Sequence, residues 1–365
     1  MPRLSSARQT PAESDSLPPS LGTLPLTEKS SGGGEHGRSV AGMGLVAIVL
    51  ALGAFYAWLA MPQKLPAVGE GKTLTSYDSF LGIAAPAERK LCVVGEFGMI
   101  LSSSDGGKTW QRQASATSRT LTSVSYADSL HGFAAGNGGL VLATRDGGST
   151  WQKQHSGVSA QLLAVAAASP TDVFAVGAYG TLLTTSDGGA NWSKVALPWN
   201  TLIPKVLKDN PGVEPNLNNV FFLDRNTGWI VGEFGIILKT ADGGRTWTAQ
   251  RAGEDLPQLY AIVFTDPATG WAVGQVGSLI HTTDGGATFS AIQATPEDLF
   301  SIAIAGLNGV VVGNHTLLMT HDGGRNWLAG TRLPGGIWLN QVVLDSARAI
   351  AVGAGGTILS LNLHQ

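Results

Sequence analysis

Residues 259–292, LYAIVFTDPATGWAVGQVGSLIHTTDGGATFSAI, hold one complete structural unit with its punctuation. The run 259–265 is rich in β-branched and aromatic residues and apolar enough to be covered on both faces, so it reads as an inner strand. Residues 266–269 turn the chain, with Pro267 suited to a turn corner. Residues 270–274 (GWAVG) give a second strand, Gln275 and Val276 a tip, and residues 277–283 a third strand. Asp284-Gly285-Gly286 then reverses the chain into an outer strand over 287–292. D-G-G suits a tight reversal because glycine tolerates φ > 0 and the carboxylate accepts nearby turn N–H groups.

The unit occurs seven times at a spacing of about 41 residues. Its V-G steps fall at Gly95, Gly136, Gly177, Gly232, Gly274, Gly313 and Gly353, and its D-G-G turns begin at Asp105, Asp146, Asp187, Asp242, Asp284 and Asp322. An aromatic follows each turn, as Trp110, Trp151, Trp192, Trp247, Phe289 and Trp327. Short strand-like runs at this period, without helical i, i+3, i+4 spacing, specify an all-β chain: a seven-bladed β-propeller of four-stranded blades. The repeated large ring is expected to pack between neighbouring blades. A second glycine after each V-G step (Gly98, Gly139, Gly180, Gly235, Gly277 and Gly356) tightens the tip. Blade six carries Thr316 there, which predicts an altered tip. The seventh unit has neither a D-G-G nor an outer strand, and an open sheet edge leaves backbone groups unpaired. Residues 65–76 are the expected closing strand.

The boxes SSDGGKTW, TSDGGANW, TADGGRTW and TTDGGATF resemble the Asp-box (BNR) repeat. Joined to V-G-E-F-G at residues 94–98 and 231–235, they are similar to the photosystem II stability and assembly factor-like propellers. The resemblance covers roughly residues 70–361. It implies a scaffold without catalytic activity or cofactor that binds a membrane-protein complex subunit or precursor.

Charged residues make up 13% of the 365 and the formal net charge is −3, so no basic stripe calls for nucleic acid. Glycine, at 49 residues, is periodic and is explained by turns. Cys92 is the one cysteine, which excludes an intrachain disulfide framework; it reads as a small buried strand residue. Residues 1–38 are polar and Ser/Pro/Gly-rich and read as a disordered tail. The run 40–61 has 22 residues without a charge, about 33 Å as a helix, enough to cross a hydrocarbon core of about 30 Å. Pro62 ends it, and Tyr56 and Trp58 suit an interfacial belt. The expected organisation is therefore a tail at 1–38, a transmembrane signal anchor at 39–62, a linker and ring-closing strand at 63–76, and the propeller at 77–365. The expected location is the inner (cytoplasmic) membrane, single-pass, with the propeller extracytoplasmic and monomeric. A cleaved signal is the alternative, and the absence of twin arginines departs from the thylakoid-lumen import pattern.

Catalytic patterns are few. Gly107-Lys108-Thr109 and Gly71-Lys72-Thr73 lack the earlier Walker glycine, having Ser102 and Pro66 in its place. The seven histidines show no zinc spacing, so no metal is expected. Six equivalent aspartates around a ring cannot converge on one substrate and read as turn formers. A sialidase-like glycan hydrolase or lectin shares the box, but its arginine motif is reduced here to Arg332-Leu333-Pro334 after Thr331. An accessory subunit of an envelope transporter is a further alternative.

In a propeller of this strand order the tips share a face with the loops that join one blade to the next, and the D-G-G turns lie on the opposite face. The expected partner-binding set is Glu96, Phe97, Tyr179, Glu233, Phe234 and His315 at the tips, with Arg112, Arg119, His155, Arg251 and Arg332 around them. Exposed aromatics beside arginines have the composition of interface hot spots. Between blades three and four the period stretches to 55. The loop 197–219 carries Trp199, Leu202, Ile203, Val206 and Leu207, with which it could form a short amphipathic helix over the ring or plug the central funnel. Trp199 completes the expected set.

Overall fold

A computed structural model describes residues 79–363 apart from 254, 294, 331, 332, 334–336, 346 and 347. The expected tail, membrane segment and ring-closing strand lie outside the described residues. Among those described, no helix is long and apolar enough to cross a membrane.

Seven antiparallel sheets follow one another along the chain, six of them four-stranded. The seventh has three described strands, Leu339–Leu344, Arg348–Gly353 and Ile358–Asn362. Each inner strand packs on the inner strand of the next blade, and the seventh packs on the first, which closes the ring. In the fifth unit the inner strand is Leu259–Phe264 and the second Gly270–Gly274, as expected. The third is Ser278–Thr282, because Gly277 belongs to the tip at φ 66°. The outer strand is Ser290–Gln293 rather than 287–292, because Thr288 still ties the turn to Asp284.

The V-G step has a steric cause that recurs in all seven blades. A Cβ added to Gly95, Gly136, Gly177, Gly232, Gly274, Gly313 or Gly353 would lie 2.0–2.2 Å from the carbonyl oxygen just ahead of the inner strand, that of Gln161 in the case of Gly177. Sampled φ values at these glycines are extended, near −171°, so space rather than a left-handed backbone demands the residue. That same carbonyl accepts the N–H of the following residue, Ala178 to Gln161 at 2.9 Å and Glu96 to Ser79 at 3.1 Å. The two strands therefore meet at the tip with no side chain between them.

The Asp-box aromatics form the seams between blades. Trp110 of blade one clusters with Ile350 and Val352 of blade seven, and Trp151 of blade two with Cys92 and Ile100 of blade one. Trp192, Trp247, Phe289 and Trp327 repeat the arrangement against the blade before each. At six of the seven seams a ring of about 150–250 Å² is buried in this way, while the seam between blades six and seven is closed by aliphatic side chains such as Val310, Val312, Leu339 and Val342. Cys92 is buried in this apolar setting, which pushes its thiol up to about 12.

Inner strands expose an edge to the next blade, and side chains pair it. Thr122 donates its hydroxyl to Leu162 O at 2.7 Å, and Asn218 its amide to Leu259 O at 2.8 Å. The first and seventh blades share this joint: Asn340 Nδ2 donates to Phe80 O at 2.7 Å, and Ile83 N donates to Gln341 Oε1 at 2.8 Å. Without these partners the edges would carry unpaired backbone groups.

Each Asp box is a closed hydrogen-bond cycle. In blade two Asp146 accepts from the Thr144 hydroxyl at 2.8 Å, from Thr150 N at 2.9 Å and from the Thr150 hydroxyl at 2.6 Å. The hydroxyl or N–H of the residue four positions on is the largest influence holding Asp146, Asp187, Asp242, Asp284 and Asp322 down at about 2, and Asp105 is lowered in the same way. These carboxylates are depressed relative to an unfolded value of about 3.9. Their contribution is therefore complete above pH 4 and lost as pH falls toward 2.

A second group adds pH dependence higher up. His281 stacks on Trp271 at 4.7 Å, its Nε2 is buried without a partner, and desolvation lowers its pKa. Being neutral in the fold and about 6.5 when unfolded, it leaves stability intact above that pH and reduces it as pH falls below. The melting temperature should accordingly decline in two stages on acidification, one beginning near pH 6.5 and one below pH 4. His281→Gln should flatten the first stage alone; a first stage unchanged in that variant would assign it to another group.

Candidate functional site

The tips are built on the V-G step and on a left-handed residue that follows. Five non-glycine residues occupy the same position there with positive φ: Phe97 at 54°, Tyr179 at 55°, Phe234 at 56°, Val276 at 54° and His315 at 51°. Blades two and seven place Gly138 and Gly355 at this position. A left-handed backbone costs a residue with a Cβ roughly 1–2 kcal/mol, most acutely the β-branched Val276. The conformation is held by hydrogen bonds from outside the tip. Tyr179 N donates to Asn216 Oδ1 at 3.1 Å, and Val276 N donates to Asp298 Oδ1 at 2.7 Å.

What the strained backbone achieves is presentation. Phe97 is 64% exposed, Tyr179 70% and Val276 63%, large apolar groups directed into solvent on one face of the ring. Half-buried Phe234 and His315 share that face. Tyr179, Phe234, Val276 and His315 form an unbroken arc over blades three to six, whereas Phe97 stands between the glycine tips of blades seven and two. Backbone strain collected on one exposed face is a mark of a functional surface.

The remaining expected residues divide into free and engaged. Arg112 and His155 are exposed beside the tips of blades one and two. Arg119 donates from Nη1 to Gly138 O at 3.0 Å, so its guanidinium covers the glycine tip of blade two. Arg251 is half-buried, with its Nη1 3.4 Å from Gly235 O, and burial lowers its pKa. The Glu96 backbone is fixed by Ser79 O, while Glu233 is committed to structure: its carboxylate accepts from Asn216 N at 2.8 Å and from Asn216 Nδ2 at 2.9 Å. Arg332 lies outside the described residues.

The long connection folds as two short helices, Trp199–Leu202 and Pro204–Asp209. Leu202, Ile203 and Val206 are buried in the cluster that joins blades three and four, and Trp199, Leu207 and Phe234 pack against it. The insertion thus caps the seam between two blades. Trp199 lies on the blade-three tip, where a Cβ at Gly180 would come within 2.8 Å of its ring, so this residue is half structural. A cleft of about 210 Å³ opens between the insertion and the outer strand of blade four, lined by Leu202, Pro204, Lys205, Arg251 and Ala252 among others.

Two members of this face escaped the sequence reading. Val276 sits where Phe97 and Tyr179 sit, but an isolated valine carries no chemical signal; only its alignment with the other tips reveals it. Trp338 is 47% exposed, and its carbonyl accepts the N–H of Ala354 in the blade-seven tip at 3.1 Å. Blade six departs from the others as expected from Thr316: Gly313 N donates to Thr316 O three positions on, where Gly95, Gly177, Gly232 and Gly353 reach four positions on, so its tip is one residue shorter, and Asn314 bridges to Trp338.

Among the described residues, no group of three or more His, Cys, Asp or Glu is placed to hold a metal ion. The described tyrosines, one of which a sialidase-like nucleophile would require, are dispersed. Tyr126 has a buried hydroxyl without a partner, Tyr179 stands on the tip face, and Tyr260 lies edge-on to Phe300 at 5.6 Å on neighbouring inner strands.

No curated protein matches the sequence. Among solved structures, YCF48 from Cyanidioschyzon merolae superposes with a TM-score of 0.66 at 20% identity, over 80% of this chain and 97% of that one. YCF48 bound to D1 peptide superposes at 0.63 and 17% identity, over 83% and 98%. The GH74 xyloglucanase from Xanthomonas campestris reaches 0.64 at 13% identity, covering 80% of this chain and 53% of the enzyme. At these identities the likeness shows a shared propeller fold. The sequence itself matches the family described as photosynthesis system II assembly factor YCF48 over residues 115–204, 148–258, 206–297 and 255–360, together about two thirds of the chain. The chain belongs to the YCF48 photosystem II assembly factor family.

Proposed function

We propose that this chain is a non-enzymatic scaffold that holds a membrane-protein client during assembly or stabilisation of its complex, and that the tip face is where the client docks. The observation that carries this reading is the outward presentation of Phe97, Tyr179 and Val276 from backbone that disfavours them. Family membership supports the assembly role, and a YCF48 relative is known bound to a D1 peptide. In this reading the client is a photosystem II subunit precursor or a subunit of another membrane complex. The 22-residue uncharged run at 40–61 anchors the chain in the cytoplasmic membrane with the propeller outside. The propeller acts as a monomer and needs no cofactor. Arg112, Arg119 and Arg251 stand beside the tips, Arg332 is expected from the sequence to join them, and together they supply charge complementarity, which governs partner choice and encounter more than affinity.

Capture from mild-detergent membranes with the tagged full-length chain, read by mass spectrometry, tests the reading. One membrane-complex subunit should be enriched, and reversal of the four arginines to Glu should reduce its capture at least tenfold. Enrichment of that subunit unaffected by the reversal would remove the arginines from the contact while keeping the scaffold. A native chain that enriches no membrane protein would remove the scaffold function itself.

A further inference from the structure

Blade four departs from the others at its outer strand. That strand, Thr248–Arg251, faces its neighbour with Ala249 opposite Leu238 and Arg251 opposite Ile237, which leaves Gln250 as an extra residue. None of the other five described outer strands is interrupted in this way. A bulge bends its strand and re-aims the side chain beside it. Arg251 accordingly folds back over the tip of its own blade, where a Cβ at Gly235 would lie 2.8 Å from its Nη1. The inserted helix Pro204–Asp209 stands opposite, and no α-helix interrupts the connections of the other blades among the described residues.

The charge of Arg251 is left unanswered in this position. Its contact with Gly235 O is long, at 3.4 Å, and no carboxylate lies within ion-pair distance of it among the described residues. Desolvation opposes the charge and lowers its pKa. A half-buried cation without a counter-charge is unfavourable, and an anion of matching geometry relieves it. The cleft that Arg251 lines holds about 210 Å³, the share of about seven waters at about 30 Å³ each. Its insertion side is apolar, made by the buried Leu202, Ile203 and Val206, and the exposed Lys205 stands at its rim.

We propose that this cleft receives a glutamate side chain of the partner, its methylenes against the insertion and its carboxylate between Arg251 and Lys205. The guanidinium offers a planar fork that matches a carboxylate, and Lys205 adds a second cation from the rim. Glutamate suits the cleft better than aspartate because its second methylene covers more of the apolar side. The cleft joins the tip face, since Gly253 N donates to Phe234 O at 3.0 Å, so a segment anchored here runs on over Phe234 toward Tyr179. The site deepens the scaffold reading, on which only the source of the glutamate rests; recognition of the side chain is tested without a client.

Nuclear magnetic resonance of the full-length chain in mild detergent, carrying isotope-labelled arginine, provides the test. The Arg251 Nε–H signal is assigned by its absence in Arg251→Gln, and the probes are blocked amino acids. N-acetyl-glutamate amide should move that signal saturably. N-acetyl-aspartate amide, one methylene shorter, should bind about fourfold more weakly. N-acetyl-glutamine amide, which lacks the charge, should bind about tenfold more weakly. Ala249→Trp, at an exposed lining position, should fill the cleft and abolish the response while Arg251 keeps its signal. Equal responses to the glutamate and glutamine probes, or a response that survives Ala249→Trp, would overturn the proposal. A stronger response to inorganic phosphate or to N-acetyl-leucine would overturn it in favour of a phosphate group or a chain terminus, and no saturable shift with any probe would remove the site. A chain that captures its client but ignores the probes loses this site alone, whereas one that answers the probes and captures no client loses the scaffold reading.

Discussion

Alanine at Gly177 should lower the stability of the ring by about 3 kcal/mol or more, although it adds a single methyl group. That methyl would sit 2.0 Å from Gln161 O and 2.9 Å from Leu162 Cα, both backbone atoms that cannot swing away as a side chain can. Relief requires parting the inner and second strands, which breaks the 2.9 Å bond from Ala178 N to Gln161 O and leaves buried groups unpaired. Overpacking costs typically 1–3 kcal/mol and a buried unpaired group a similar amount, so the two together exceed most single substitutions. Gly157 is the control. It has φ 75° but open space around its Cβ direction, so Gly157→Ala should cost only about 1 kcal/mol of backbone strain. Urea unfolding of the two variants separates the explanations. Equal losses would mean that backbone conformation, not the carbonyl contact, selects glycine at the V-G step.

The second large effect concerns binding and should leave the fold in place. Phe97→Gly combined with Tyr179→Gly removes two strained, exposed aromatics. Relief of the left-handed backbone returns roughly 1 kcal/mol per site, and the greater freedom of glycine in the unfolded chain takes back about 0.4–1. Net stability should therefore change by less than about 1 kcal/mol. An aromatic anchor at the centre of an interface is worth about 2 kcal/mol or more, close to thirtyfold each, so client capture should fall by at least a hundredfold. Phe97→Leu and Tyr179→Leu keep the strain and some apolar area, and should fall between. Undiminished capture by a stably folded glycine variant would move the client off the tips. A loss of capture that tracked a loss of melting temperature would mark these residues as structural.

Several features of the site were visible in the sequence because the repeat displays them side by side. The V-G step, the D-G-G turn and the aromatic after it each recur because a contact recurs: a carbonyl with no room for a Cβ, a carboxylate that ties its own turn, a ring that fills a seam. Thr316 in place of the second glycine marked the altered tip of blade six. Phe97 and Tyr179 were legible as exposed because they fall at a tip position that glycine shares.

Roles that depend on neighbours distant in the sequence were not legible. Glu233 and Trp199 read as surface groups, but the fold commits one to Asn216 and lays the other on Gly180. Arg119 and Arg251 read alike, yet one covers the tip of the next blade and the other is half-buried beside its own. Val276 and Trp338 join the face only through the ring's alignment of tips. The number of blades, the strand order and the position of each turn could be read from the residues alone, because these follow from local steric and hydrogen-bonding rules repeated along the chain. Which side chains remain free on the tip face emerged with the folded ring, because freedom there is set by what the adjacent blade and the inserted helices place against each residue.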